Sequence, residues 1–225
     1  MIDKALQIIA PHYCYGCAKI GSVLCANCKY DIVDETLSAC VVCETPSAEG
    51  ICSACQTTYS KAWCVGDRRG ALMAAIDGLK FNHVKAAAQA LAELLDSHLP
   101  VLPPDTVVVP VPTIPSHVRV RGYDHTLLIA KEFAKLRGLK LHQHLKRLNH
   151  GVQRGKSKKE RLEQARTAFT CPSELNEVPA YLLVDDVVTT NATLRYAAGA
   201  LVAAGAKTVW VGVVARQPQV QIKSS

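Results

Sequence analysis

The chain has 225 residues, of which 49% are hydrophobic and 20% charged, and its 26 basic residues against 19 acidic ones leave a net charge of +7. That content supplies one α/β domain with a small accessory module. It excludes a disordered tail, a collagen-like chain and a scaffold held by disulfides alone.

Residues 1–10 carry Asp3 and Lys4 and run into Pro11, a pattern unlike a secretory leader, so a soluble, cytoplasmic protein is expected. Ten cysteines follow, and eight of them form C-x-x-C pairs within the first 55 residues: Cys14/Cys17, Cys25/Cys28, Cys40/Cys43 and Cys52/Cys55. Two intervening residues let a tight knuckle aim both thiolates at one tetrahedral metal ion, and two knuckles close one site. Four knuckles therefore predict two structural zinc ions in a module spanning 1–60. Disulfides do not suit a chain without a leader, and the spacing is not that of iron–sulfur ligation. Sequential pairing joins the first knuckle to the second and the third to the fourth across short hairpins. It is preferred here over a cross-braced arrangement. With all positions closed by thiolate, such zincs serve folding rather than chemistry.

From residue 61 to 225 the pattern becomes that of a second domain. Lys61–Asp67 reads as a strand, and Gly70–Lys80 and Val84–Leu99 as helices, the second with Ala87, Leu91, Leu94 and Leu95 on one face. Thr106–Val109 is a β-branched run ended by Pro110 and Pro112. Tyr123–Arg137 is helical and stops at Gly138. Asn149–Ser157 is a polar loop. Tyr181–Val184 reads as a buried strand, Thr193–Ala204 as a helix and Thr208–Val214 as a strand. Residues 197–215 carry one charge, Lys207, but Gly205 and Lys207 divide them into two elements, each too short to span a bilayer. Strands alternating with helices indicate an α/β fold with a parallel sheet and helices on both faces.

Charge is concentrated between Lys146 and Arg166, where eight basic residues face Glu160 and Glu163 and contribute +6. Such a segment suits a phosphate-rich ligand, nucleotide or polynucleotide. The sharpest motif is Leu182-Leu183-Val184-Asp185-Asp186-Val187-Val188-Thr189-Thr190-Asn191-Ala192-Thr193. A strand delivers two carboxylates at its C-terminal end, where open α/β sheets bind ligands. A hydroxyl-bearing loop then leads into a helix whose first amides lack internal partners. Carboxylates suit ribose hydroxyls, whereas threonine hydroxyls and free amides suit a 5′-phosphate. His125 reads as a polar residue on a helix surface, with an acid–base group as the alternative, and Trp63, Phe81, Phe169 and Trp210 read as core or strand-edge residues. Aromatic residues make up 5% of the chain, too few for an extended base-stacking surface.

The Asp185–Thr193 segment resembles the 5-phosphoribosyl-1-pyrophosphate loop of type I phosphoribosyltransferases. Together with the knuckles, Leu79-Lys80-Phe81, Val109-Pro110-Val111-Pro112, Arg119, Arg121-Gly122-Tyr123, and Gln153, Arg161, Arg166 and Phe169, it makes nearly the whole chain resemble the ComF-type family. The resemblance implies a double zinc-ribbon module, with four cysteines to each zinc, before a type I phosphoribosyltransferase-like domain. The implied ligand is phosphoribosyl pyrophosphate with Mg²⁺, and the implied setting is DNA uptake. Single-stranded DNA, a competence helicase and the recombination machinery are the implied partners. By position, Asp185 and Asp186 would hold the ribose. Val187, Val188, Thr189, Thr190, Asn191, Ala192 and Thr193 would form the ligand loop, with the 5′-phosphate cradle at its threonines and Ala192. Val111, Pro112 and Thr113 would form the pyrophosphate loop, with Arg121, Arg154 and Arg161 as its cations.

The chain departs from the family pattern at Asn191, where Gly is usual, and at Tyr123-Asp124-His125. Asn tolerates the left-handed conformation next best after Gly. Asp124 adds a negative charge near the anion site unless Arg121 pairs with it. Two readings stay open. One is transfer of a phosphoribosyl group to an acceptor that the sequence does not identify. The other is a non-catalytic protein that binds single-stranded DNA or a protein partner and keeps a degenerate pocket.

Overall fold

Strands β1 (Lys61–Asp67), β2 (Val107–Pro110), β3 (Lys140–Leu141), β6 (Tyr181–Val188) and β7 (Val209–Arg216) form one sheet in the order β1-β7-β6-β2-β3. Every pairing in it is parallel. The computed structural model describes residues 11–34, 38–148 and 168–218. Strands buried on both faces read as continuous apolar runs, and alternation then sends neighbouring side chains to opposite layers. Leu182 and Val184 pack into a cluster with Leu72, Ile76 and Leu79 of α2 (Gly70–Phe81), Leu91, Leu94 and Leu95 of α3 (Ala87–His98), and Ile129 and Phe133 of α5 (His125–Arg137). Tyr181 and Leu183 point the other way, onto Leu194, Ala197 and Leu201 of α6 (Ala192–Ala203). Helices thus cover both faces, as the alternation in the sequence predicts.

A short α4 (Pro115–Arg121) follows β2, and β4 (Lys146–Arg147) pairs antiparallel with β5 (Phe169–Thr170). The first knuckle pair carries α1 (Ala26–Asp34), whose Lys29 Nζ lies 2.5 Å from Glu93 Oε2 on α3. Val23 and Leu24 are buried in the α2/α3 layer, whereas Val41 and Tyr59 join the α6 layer. Residues on either side of the expected boundary at 60 therefore share apolar clusters. Gly50 marks the closest approach. Its φ is +70°, and a Cβ there would sit 1.7 Å from the Ala62 carbonyl oxygen, so only glycine lets the second knuckle pair lie against β1.

The elements match the periodicity, with shifted ends. The helix expected from Val84 starts at Ala87, and the helix expected from Tyr123 starts at His125 with Asp124 as its N-cap. Gly138 terminates α5 in the left-handed conformation (φ 64°) as expected. The strand expected over Tyr181–Val184 runs on to Val188 because β7 keeps pairing with it. The polar loop 149–157 lies outside the described residues. No described helix is long and apolar enough to cross a membrane.

Candidate functional site

The two carboxylates lie inside β6 rather than beyond its end. On one edge Asp185 pairs with Val213 of β7, and pairing continues to Val188. On the other edge β2 stops at Pro110, opposite Val184, and Val111 N makes the last bond to the Val184 carbonyl (2.9 Å). The two neighbours of β6 thus end unequally, β2 at Pro110 and β7 at Arg216. Asp186 meets Lys80 of α2 and His125 of α5, whereas Asp185 also feels Arg147 of β4.

Asp186 is 5% exposed, and its Oδ2 lies 2.5 Å from Lys80 Nζ and 2.8 Å from His125 Nε2. Burial works against ionisation of Asp186, but His125 and Lys80 outweigh it and hold the carboxyl well below its usual range. Asp185 goes the other way: burial and then the charge of Asp186 push it well up. Its Oδ1 accepts the Asp186 amide at 2.9 Å.

Lys80 ends α2 and His125 begins α5, so the ends of two helices bring both groups to one carboxylate. Arg121 holds them in place. Its Nε donates to the Lys80 carbonyl, and a terminal guanidinium nitrogen lies 2.5 Å from His125 Nδ1. A guanidinium only donates, so Nδ1 accepts and the imidazole proton sits on Nε2, facing Asp186. This overturns the reading of His125 as a surface residue: it is 6% exposed. Phe81 corrects the aromatic reading in the opposite sense. It is 65% exposed, with the Arg121 guanidinium 6.0 Å from its ring centre. Phe169 is buried as expected, and Trp63 and Trp210 meet edge to face at 5.9 Å.

Asp124 does not pair with Arg121. It caps α5, accepting the amides of Thr126 (3.0 Å) and Leu127 (3.2 Å), and it also takes the Thr113 amide (3.0 Å) and hydroxyl (2.8 Å). Three amides and a hydroxyl therefore absorb the charge that the sequence placed near the anion site. One cost is that the Thr113 hydroxyl is committed to Asp124. Of the other loop residues, Val111 is buried and the Pro112 carbonyl accepts from Arg147 (3.4 Å). Arg147 stacks on Phe169 at 5.1 Å. Burial lowers its proton affinity, and the Asp185 carboxylate opposes that. Arg147 and Lys80 are both described cations near Asp185. Arg154 and Arg161 lie outside the described residues.

In the ligand loop, Val187 and Val188 are apolar and extend the strand, and Thr189 and Thr190 are exposed. Asn191 turns the chain with φ 58° and precedes Ala192 and Thr193 in the first turn of α6. That is the left-handed conformation for which glycine is usual, which explains why Asn serves here. Its side chain does not cap the helix but accepts the Tyr59 hydroxyl at 2.5 Å. Tyr59 is 3% exposed and lies just after the last knuckle, and the adjacent Thr58 hydroxyl donates to the Arg195 carbonyl (2.9 Å). The cysteine-rich segment thus braces the loop from below.

The cysteines fall into two groups, Cys14, Cys17, Cys25 and Cys28, and Cys40, Cys43, Cys52 and Cys55, each with its sulfurs within 4.8 Å of one another. This is the sequential pairing. Cys17 and Cys25 sulfurs are 3.6 Å apart, and Cys43 and Cys52 sulfurs 3.5 Å. Four thiolates at about 2.3 Å from a shared zinc need nearly that spacing. Cys14 is drawn down to about 6: burial opposes the thiolate, but the amides of Cys25, Cys17 and Gly16 outweigh it. Cys43 is drawn down to about 6 by the Thr45 hydroxyl and amide. Both groups fit structural zinc.

Sequence reasoning placed the acids, the loop and the cysteines. It missed Lys80 and Arg147 as members of the site and Tyr59 as the brace. Lys80 left a faint signal, a lysine directly after the apolar face of α2. Arg147 left none, because β4 is two residues long.

No protein-family model matches the chain. Competence protein F of Haemophilus influenzae is 28% identical over 179 residues, which cover 74% of this chain and 77% of that protein. With the paired tetracysteine groups in front of the parallel sheet, this likeness to competence protein F agrees with the motifs read from the sequence.

Proposed function

We propose that the crevice at the C-terminal edge of the sheet binds 5-phosphoribosyl-1-pyrophosphate, in a protein of competence-linked DNA uptake. The observation that carries this reading is the unequal end of β6: buried acids flanked by a vacated strand edge, followed by a left-handed turn into a helix with no side-chain cap. Asp185 is the carboxylate left for ribose hydroxyls. The first amides of α6 with Thr189, Thr190 and Thr193 suit the 5′-phosphate. Arg147, Lys80 and the backbone at Val111–Thr113 suit the pyrophosphate, which would bring its own Mg²⁺. Transfer to an acceptor would then rest on electrostatic stabilisation of the departing pyrophosphate, with no covalent nucleophile. The competence setting comes from the similarity to competence protein F.

Calorimetric titration of phosphoribosyl pyrophosphate with Mg²⁺ tests the site. Wild type is expected to bind in the micromolar range, and Asp185→Asn to bind at least about tenfold more weakly, the loss of a charged hydrogen bond. No heat from folded, zinc-loaded wild type would sink the reading. It would favour the second one, a retired pocket in a protein that binds single-stranded DNA or a competence helicase. The pairing of Asp186 with Lys80 is the observation on that side.

A further inference from the structure

A pair of adjacent carboxylates at the end of a sheet invites a divalent cation, which takes oxygen ligands at about 2.0–2.1 Å for Mg²⁺. The described residues do not fit that ion as one held by the protein. Asp186 Oδ2 already faces an ammonium at 2.5 Å and an imidazole N–H at 2.8 Å. Asp185 Oδ1 is taken by a backbone amide. His125 turns Nε2 toward Asp186, and the ammonium that faces the same oxygen is that of Lys80. Its side chain is 19% exposed, so it is not sealed in the core.

We infer that Lys80 is the resident cation of this site: it occupies the place a divalent ion would take, and it keeps Mg²⁺ and Mn²⁺ off the carboxylates while the ligand is absent. An ammonium there serves a phosphate ester differently from a metal ion. It swings on a flexible stem between Asp186 and an incoming phosphate oxygen, and needs no ligand shell to be stripped. His125 and Arg121 are positioning residues for it, the first by facing Asp186 and the second by holding the end of α2.

The test uses zinc-loaded full-length protein and Mn²⁺ alone as a paramagnetic probe, read by amide spectra. No phosphoribosyl ligand is present, so this inference and the ligand reading fail separately. In wild type, the amides of Asp185–Val188 should keep their intensity relative to Tyr181 at the far end of the same strand. In Lys80→Ala, and in Lys80→Gln, which keeps a polar tail and guards against misfolding, the same amides should be selectively lost on adding Mn²⁺. Lys80→Arg should behave as wild type. Selective loss in wild type overturns the inference. So does an unchanged spectrum in both folded neutral variants, since another group would then be excluding the cation.

Discussion

Stripping metal from the two tetracysteine groups with a strong chelator is expected to unfold residues 11–58 and to lower the Tm of the rest by more than about 10 °C. Structural zinc contributes on the order of 10–16 kcal/mol in small metal-dependent peptides. Little else holds these turns: the described regular elements before β1 are a single helix and two isolated bridges, Tyr13 with Ile20 and Ala39 with Pro46. The damage should spread because the module is tied into the sheet domain. Val23 and Leu24 sit in one apolar layer and Val41 and Tyr59 in the other. Losing even about 4 kcal/mol of that shared packing moves the Tm of a chain this size by roughly 8–16 °C. Calorimetry before chelation, after it and after zinc is restored checks this. A Tm that ignores the chelator would show that the thiols hold no structural ion.

Neutralising the two aspartates one at a time should change stability in opposite directions. Asp186→Asn leaves the Lys80 ammonium without its counter-charge, and breaking such a pair costs about 3–5 kcal/mol when fully buried. The exposed part of Lys80 puts the expected loss near about 3 kcal/mol, or roughly 6–12 °C in Tm. Asp185→Asn removes a buried charge that its neighbour repels, and should stabilise the fold by about 2 kcal/mol at neutral pH.

The pH dependence follows from the two directions. Asp186, held below its usual range, gives stability that is present above about pH 4 and lost as pH falls further, through its folded value. Asp185, pushed up, gives stability that is complete below about pH 4 and lost as pH rises through its folded value. The advantage of Asp185→Asn should therefore shrink as pH is lowered toward about 4. Thermal melts of the three proteins across that range decide it, and two variants destabilised alike would refute the assignment of roles.

The fold was legible where periodicity and punctuation were strong. β1 begins and ends as its apolar run does, and Gly138 closes α5 at the residue expected. Cysteine spacing gave both the ligands and their grouping. The site was half legible. Adjacency of Asp185 and Asp186 suggested two acids acting together, but their surroundings push them in opposite directions, which adjacency does not report. The partners that set their charge come from elsewhere in the chain: Lys80 from the end of α2, His125 from the start of α5, Arg147 from a two-residue strand. Local pattern does not report such meetings. His125 looked like a surface residue because α5 has no clean polar face at its first turn. Asp124 looked like a liability because capping geometry is invisible until the helix start is placed.

The strand order also sets a schedule. β1 and β2 are made early, yet no bond joins them, since β7 and β6 lie between them. Each must wait with an unpaired edge until the chain beyond Tyr181 emerges, and the middle of the sheet is then laid in last. Long-range parallel pairing of this kind is slow and leaves edges open to other chains. The end of β6 with its two acids is therefore among the final features to exist on a growing chain, and a ribosome stalled before β6 would hold finished cysteine knuckles with half a sheet behind them.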